Sequence, residues 1–256
     1  MCVAIYKPAG VDFPSWSRLK QCWDTNSDGA GFMYADGHDV HIYKGFMRWG
    51  DFKKALKAYK SSEDAKAQPF CLHFRIATQG GVNAGMCHPF PLTDSVKRLK
   101  KPITTTKIGI VHNGIIPLTT SRQKSNLSDT ALFIKDYMTL LIKKPDYWQS
   151  PEARNVLTMI DELIGSRMCI LSADGHAELI GYCWECVDDV YYSNLHWCSR
   201  WDDLLTGWDF GTSSKTTKLK PAPELIGCEY KKTGDWTACY WCQNIECENY
   251  SGGYYE

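Results

Sequence analysis

No charge of either sign dominates this sequence. In 256 residues, 29 Lys and Arg stand against 29 Asp and Glu. A protein that wraps duplex nucleic acid or lies along an anionic membrane carries a basic excess, so neither partner is expected. No uncharged apolar run is long enough to span a bilayer, and the first residues, MCVAIYKPAGVDF, hold no apolar core of signal-peptide length. A cytoplasmic, reducing location is expected, with no propeptide ahead of Cys2. No internal repeat is visible. Apolar residues at 44% and charged residues at 23% are ordinary globular values, which sets aside collagen and bulk disorder. The length fits one full domain with an appendage, or two small domains, and a core of that size needs no metal or disulfide to fold.

Cysteine, by contrast, is plentiful. Twelve of the 256 residues are Cys, still below the ~8–10% of a disulfide scaffold. Four of them, Cys228, Cys239, Cys242 and Cys247, crowd into the last thirty residues. In a reducing compartment, clustered thiols point to metal binding or catalysis before disulfides.

Hydropathy patterns predict an α+β domain. VAIYK, GFMYAD and HDVHIYK read as strands, with a turn over Ala35–His38. Residues 51–60 carry Phe52, Leu56 and Tyr59 at helical spacing. PFCLHFRIAT alternates, with Phe70, Leu72, Phe74 and Ile76 on one face and Cys71, His73, Arg75 and Ala77 on the other. The face with His and Arg is a candidate wall of a site. Lys107 to Val111 is a strand running into a turn at His112-Asn113-Gly114. Ser128 caps a predicted helix bearing Leu132, Phe133, Tyr137, Leu140 and Leu141, and Pro151 opens another that stops at Gly165. RMCILSADGHAELIG reads as a hairpin around Asp174-Gly175, and DVYYSN as a further strand. Strands, then helices, then strands favour layered α+β over a βαβ alternation. Residues 206–223, with GTSSKTTKLKPAP inside them, read as a linker to a tail at 224–256.

Cys2 is the first candidate for chemistry. Removal of Met1 is expected before so small a residue, and it leaves a thiol and an α-amine on one carbon. Their reference pKa values are roughly 8.5 and 7.7 to 8.0, so about a sixth of such amines are uncharged at pH 7. A nucleophile with its own base meets the general requirement of covalent catalysis.

Behind Cys2 come, in order, W-x-x-N-x-x-G-x-G at Trp23, Asn26, Gly29 and Gly31, then HFRIATQGGVNAGMCHPF, VHNGII, SDTALFIKDY and VYYSN. Together these resemble the class II glutamine amidotransferases, N-terminal-nucleophile hydrolases, over most of residues 2–205. The resemblance implies a four-layer αββα fold and a set of roles. Cys2 attacks the glutamine side-chain amide, and ammonia leaves behind a γ-glutamyl thioester. The Asn113 side chain and Gly114 N–H form the oxyanion hole. Arg75 clamps the α-carboxylate, Asp129 takes the α-ammonium, and Thr78 and His88 fall at pocket positions. Ile76 and Gln79 stand where the sugar-phosphate branch of that family has Trp and His, so the closing loop is expected to differ. About fifty residues remain after this region, few for an ammonia-consuming domain. The ammonia acceptor is therefore expected on a partner synthase or ligase. Two alternatives stay open: an acylase or peptidase of the same superfamily, and a binding module that displays the tail.

Catalysis of this kind requires no cofactor. In the tail, Cys228, Cys239, Cys242 and Cys247 are separated by ten, two and four residues and could close a tetrahedral structural zinc site. Tyr230, Trp236, Tyr240 and Trp241 offer another reading, packing on the domain or forming a docking face. Cys183 and Cys186 form a further C-x-x-C, read as buried reduced thiols.

Overall fold

Strand β1 (Val3–Lys7) is apolar on both faces, and it lies centrally in the larger of two sheets. The computed structural model describes residues 2–62, 64–77, 81–120 and 126–198. After β1 come α1 (Trp16–Thr25), β2 (Ala30–Ala35), β3 (Val40–Phe46), α2 (Trp49–Lys60) and β4 (Phe70–Phe74). A short 3-10 turn at Ala84–Met86 leads to β5 (Phe90–Pro91), α3 (Val96–Leu99), β6 (Ile103–Thr106), β7 (Ile108–Asn113) and α4 (Pro117–Thr120). A helical run follows as α5 (Asp129–Phe133), a π turn (Ile134–Met138) and α6 (Thr139–Leu141). Then come α7 (Ala153–Ile164), β8 (Arg167–Ser172), β9 (Ala177–Ile180), β10 (Glu185–Val187) and β11 (Val190–Tyr192). One sheet has the order β10-β11-β1-β4-β2-β3-β6 and the other β5-β7-β8-β9, with antiparallel pairings and no closure into a barrel. The molecule is an α+β protein.

Side-chain alternation sorts the core into three clusters. Phe70, Leu72 and Phe74 of β4 join Phe32, Leu19 and Phe52, so this face of the large sheet packs on α1 and α2. Cys71, the neighbour in sequence, points the other way and meets Met33, Val111 and Cys169. Its sulfur lies 3.6 Å from that of Cys169 on β8, across the space between the sheets. On β7 the same period puts Ile108 and Ile110 against the helices with Phe133, Leu157 and Ile160, while Val111 joins the inter-sheet cluster. Gly109 lets the sheets approach closely, since a Cβ there would come 2.4 Å from Met33 Sδ. Burial of each large apolar side chain contributes roughly 1.5–3 kcal/mol.

Several elements depart from the sequence reading. Helix α2 begins two residues earlier than predicted, and α1, α3, α4, β5 and β6 were not predicted. Ile76 was assigned to the apolar face of the fourth strand but lies beyond its end at Phe74. The run from Ser128 is helical as predicted, yet Leu140 is 63% exposed, while Ile134 and Met138 are fully buried. The π turn explains this, because its wider i→i+5 closure rotates every later residue away from its α-helical face. Cys183 is buried, but Cys186 is exposed, because β10 is an edge strand. The linker at 206–223 and the tail at 224–256, with Cys228, Cys239, Cys242 and Cys247, lie outside the described residues, as does Thr78. Among the described residues no helix is long and apolar enough to cross a membrane.

Candidate active site

Cys2 lies at the start of β1, and antiparallel pairing of Val3 with Phe74 brings it beside the segment leaving β4. Its Sγ accepts the Ile76 N–H and is placed to donate to Ile76 O, both at 3.3 Å. Burial pushes the thiol pKa up, while the Ile76 N–H and the nearby Arg75 guanidinium pull it down. The net shift is upward, so at neutral pH the sulfur holds its proton and needs a base to lose it.

Arg75 is buried at 3% exposure, and its Nη1 donates to Gly81 O at 2.8 Å. The glycine-rich motif read from sequence supports this segment from beneath. Arg75 N–H donates to Gly29 O at 2.8 Å, and Asp28 N–H to Arg75 O at 2.9 Å. The Asp28 carboxylate accepts the Ala77 N–H at 2.9 Å. Gly29 has φ +132, and a Cβ there would lie 2.4 Å from Cys87 Sγ, so glycine is required by both conformation and space.

Asn113 ends β7, buried at 3% exposure, and its Nδ2 donates to Ser193 Oγ at 2.9 Å. That same hydroxyl accepts the Ala4 N–H at 2.8 Å. One serine thus links the strand that follows Cys2 to the side chain of Asn113. Asn194 adds a second tie, donating from Nδ2 to Cys2 O at 2.8 Å. Gly114 follows with φ +150, and a Cβ there would stand 2.3 Å from Ser166 Cβ. His112, just before, is held at both ring nitrogens, Nδ1 to Thr130 Oγ1 at 2.9 Å and Nε2 to Ser166 Oγ at 2.7 Å.

Asp129 is buried at the first position of α5, and its carboxylate reaches back to this turn. One oxygen accepts the Ile116 N–H at 2.9 Å, the other the Thr130 N–H at 2.8 Å. His88 is buried on the inner side, its ring centroid 4.2 Å from that of His73 and 4.7 Å from that of Phe90. Neither ring nitrogen of His88 has a hydrogen-bond partner, and burial holds its pKa well below the ordinary histidine value.

Of the residues singled out from sequence, Arg75 lies near Cys2, Asn113 is linked to the Cys2 strand through Ser193 and Ala4, and Asp129 holds Ile116 two residues after Gly114. His88 lies deeper, in the layer between the sheets. The sequence resemblance includes VYYSN but implies no role for Ser193 or Asn194, nor for Asp28 or Ser166. A Ser-Asn pair after a strand marks no such role until the strand's partner is known. Among the described residues no group of His, Cys, Asp or Glu is placed to hold a metal ion. No family model matches the chain, and a search of the curated proteins finds no significant match.

Proposed function

We propose that this protein is a glutamine-hydrolysing amidotransferase subunit whose nucleophile is Cys2 after removal of Met1. The observation that carries the reading is the position of the Cys2 thiol, held by Ile76 beside the Arg75 guanidinium, ahead of a strand whose Ala4 N–H shares the Ser193 hydroxyl with the Asn113 amide. The two antiparallel sheets and three clusters support the four-layer αββα arrangement implied by the sequence resemblance.

The chemistry follows from these positions. The α-amine of Cys2 takes the thiol proton as sulfur attacks the amide carbon, and the carbonyl oxygen becomes an oxyanion. Asn113 and the Gly114 N–H stabilise that charge. The tetrahedral species collapses as the C–N bond breaks, and the α-ammonium returns its proton to the departing ammonia. Water, deprotonated by the same amine, then attacks the γ-glutamyl thioester and releases glutamate, and sulfur regains its proton. Arg75 is shaped for the α-carboxylate of the substrate. The ammonia serves an acceptor on a partner synthase or ligase.

One observation favours a second reading. Both Asp129 oxygens already accept backbone N–H groups, so Asp129 serves the turn whether or not it meets an α-ammonium. An acylase or peptidase of the same superfamily would keep Cys2, Asn113 and Gly114 without gripping a free amino acid. Steady-state hydrolysis separates the two. Cys2→Ala abolishes turnover under either reading. Arg75→Ala raises the glutamine KM strongly under the amidotransferase reading, whereas glutamine kinetics unchanged in Arg75→Ala, with loss of another amide substrate, would establish the acylase.

A further inference from the structure

Ser193 follows β11 directly and is fully buried. Its backbone N–H donates to Ala4 O at 2.8 Å, so it continues the pairing with β1. Its hydroxyl sits between two groups that matter to the proposed chemistry, Ala4 N–H at 2.8 Å and the Asn113 amide at 2.9 Å. The first can only donate, so it fixes one lone pair of Ser193 Oγ. The hydroxyl proton is left to be directed elsewhere.

The Asn113 amide has two orientations related by a half-turn of its last side-chain bond, nearly equal in shape and opposite in hydrogen bonding. With Nδ2 toward Ser193, Oδ1 is buried and has no hydrogen-bond partner. With the amide turned, Ser193 Oγ donates to Oδ1, and Nδ2 moves to the position where Oδ1 had no partner. An oxyanion needs a donor at that position; an amide oxygen there would repel it. The turned orientation satisfies the acceptor inside the protein and keeps the amide hydrogens for the substrate.

We propose that Ser193 is a positioning residue: by accepting the Ala4 N–H and donating to Asn113 Oδ1, it presents the Asn113 NH2 to the oxyanion. The inference rests on Cys2 being the nucleophile and deepens that reading. Asn194 completes the strap. Its Oδ1 accepts the His196 N–H at 3.1 Å and its carbonyl the Trp197 Nε1–H at 3.0 Å, which orients its Nδ2 on Cys2 O. Two consecutive residues therefore set the nucleophile's backbone and the orientation of the hole.

The test compares Ser193→Ala, Ser193→Thr and Ser193→Val in the full chain, Thr and Val being alike in volume and different in the hydroxyl. Readouts are kcat and KM for glutamine, inhibition by the γ-aldehyde analogue of glutamine, and alkylation of Cys2 by iodoacetamide. The aldehyde forms a thiohemiacetal with Cys2 that carries an oxygen in the hole, whereas alkylation forms no oxyanion. Loss of the ordered donor lowers kcat for Ala and Val by about 10- to 100-fold, a part of what removing an oxyanion donor outright costs. Aldehyde affinity falls in parallel, while KM and the alkylation rate stay within about twofold; Thr recovers most of kcat. The inference is overturned if Ala and Val keep wild-type kcat, if Thr is as slow as Val, or if alkylation slows in step with turnover. A wild type that hydrolyses no glutamine, or a Cys2→Ala that does, removes the nucleophile reading and this inference with it. A working wild type with an unaffected Ser193→Ala removes the role of Ser193 alone.

Discussion

Burial works against ionisation of the Cys2 thiol, and Ile76 and Arg75 offset it only in part. A protonated thiol needs a base, and the nearest one in covalent terms is its own α-amine. A variant that retains an added residue before Cys2 should therefore lose turnover while keeping its fold, as measured by glutamine hydrolysis and thermal unfolding. Asn113→Ala should lower kcat by about 100- to 1,000-fold if its amide is an oxyanion donor. Gly114→Ala should be more severe, because the new methyl meets Ser166 at 2.3 Å on a backbone with φ +150; its Tm and kcat should fall together. Cys2, Asn113 and Gly114 stand out as candidates in the sequence because each is a distinctive residue type in a short run. Ser193 does not, because a serine after a strand carries no signal until the strand's partner is known, and that partner is β1, some 189 residues earlier in the chain.

Helix α5 begins where Asp129 can reach the turn after β7, and the Ser128 cap fixes that start. Ser128 Oγ accepts the Ala131 N–H at 3.2 Å. Ser128→Ala should reduce stability by about 1 kcal/mol, read as a lower urea midpoint with an unchanged slope. Because Asp129 holds Ile116 two residues beyond Gly114, the same variant should lower kcat modestly. Sequence periodicity located this helix and its cap, and it placed α7 with its stop at Gly165, where φ is +55. It failed beyond Ile134, because a π turn breaks the 3.6-residue period on which the reading rests. Short elements such as α3 and β5 lack the length to display a period at all, and tertiary pairing creates them.

The space between the two sheets contains an unusual share of ionisable groups for a core. His73 and His88 are buried there near Lys44 and Arg75, while His112, on the opposite face of β7, is buried toward α5 with Asp129 beside it. Burial lowers the His73 pKa to about 3 and pushes His88 and His112 down as well, with Asp129 opposing the shift at His112. In the unfolded chain these histidines titrate near ~6.5. As pH falls below that value, the unfolded state takes up protons that the folded state refuses, so stability falls with pH. Each such histidine contributes a slope of up to ~1.4 kcal/mol per pH unit until its folded pKa is reached. Urea unfolding at pH 7 and pH 5 should show this loss, and His88→Phe should make it smaller; an identical pH dependence in that variant would contradict the account. Alternation in β4 had placed His73 on the less apolar face as a candidate wall of a site. That face is the interior between the sheets, a distinction that only the second sheet reveals.

Whether residue 2 is the nucleophile is decided most directly by a diazo-ketone analogue of norleucine, which mimics glutamine and alkylates an attacking thiol. Intact-mass and peptide mapping of the treated protein should show Met1 absent and a single adduct, on Cys2, suppressed by excess glutamine. Met1 retained, or adducts spread over other cysteines with Cys2 unmodified, would contradict the account.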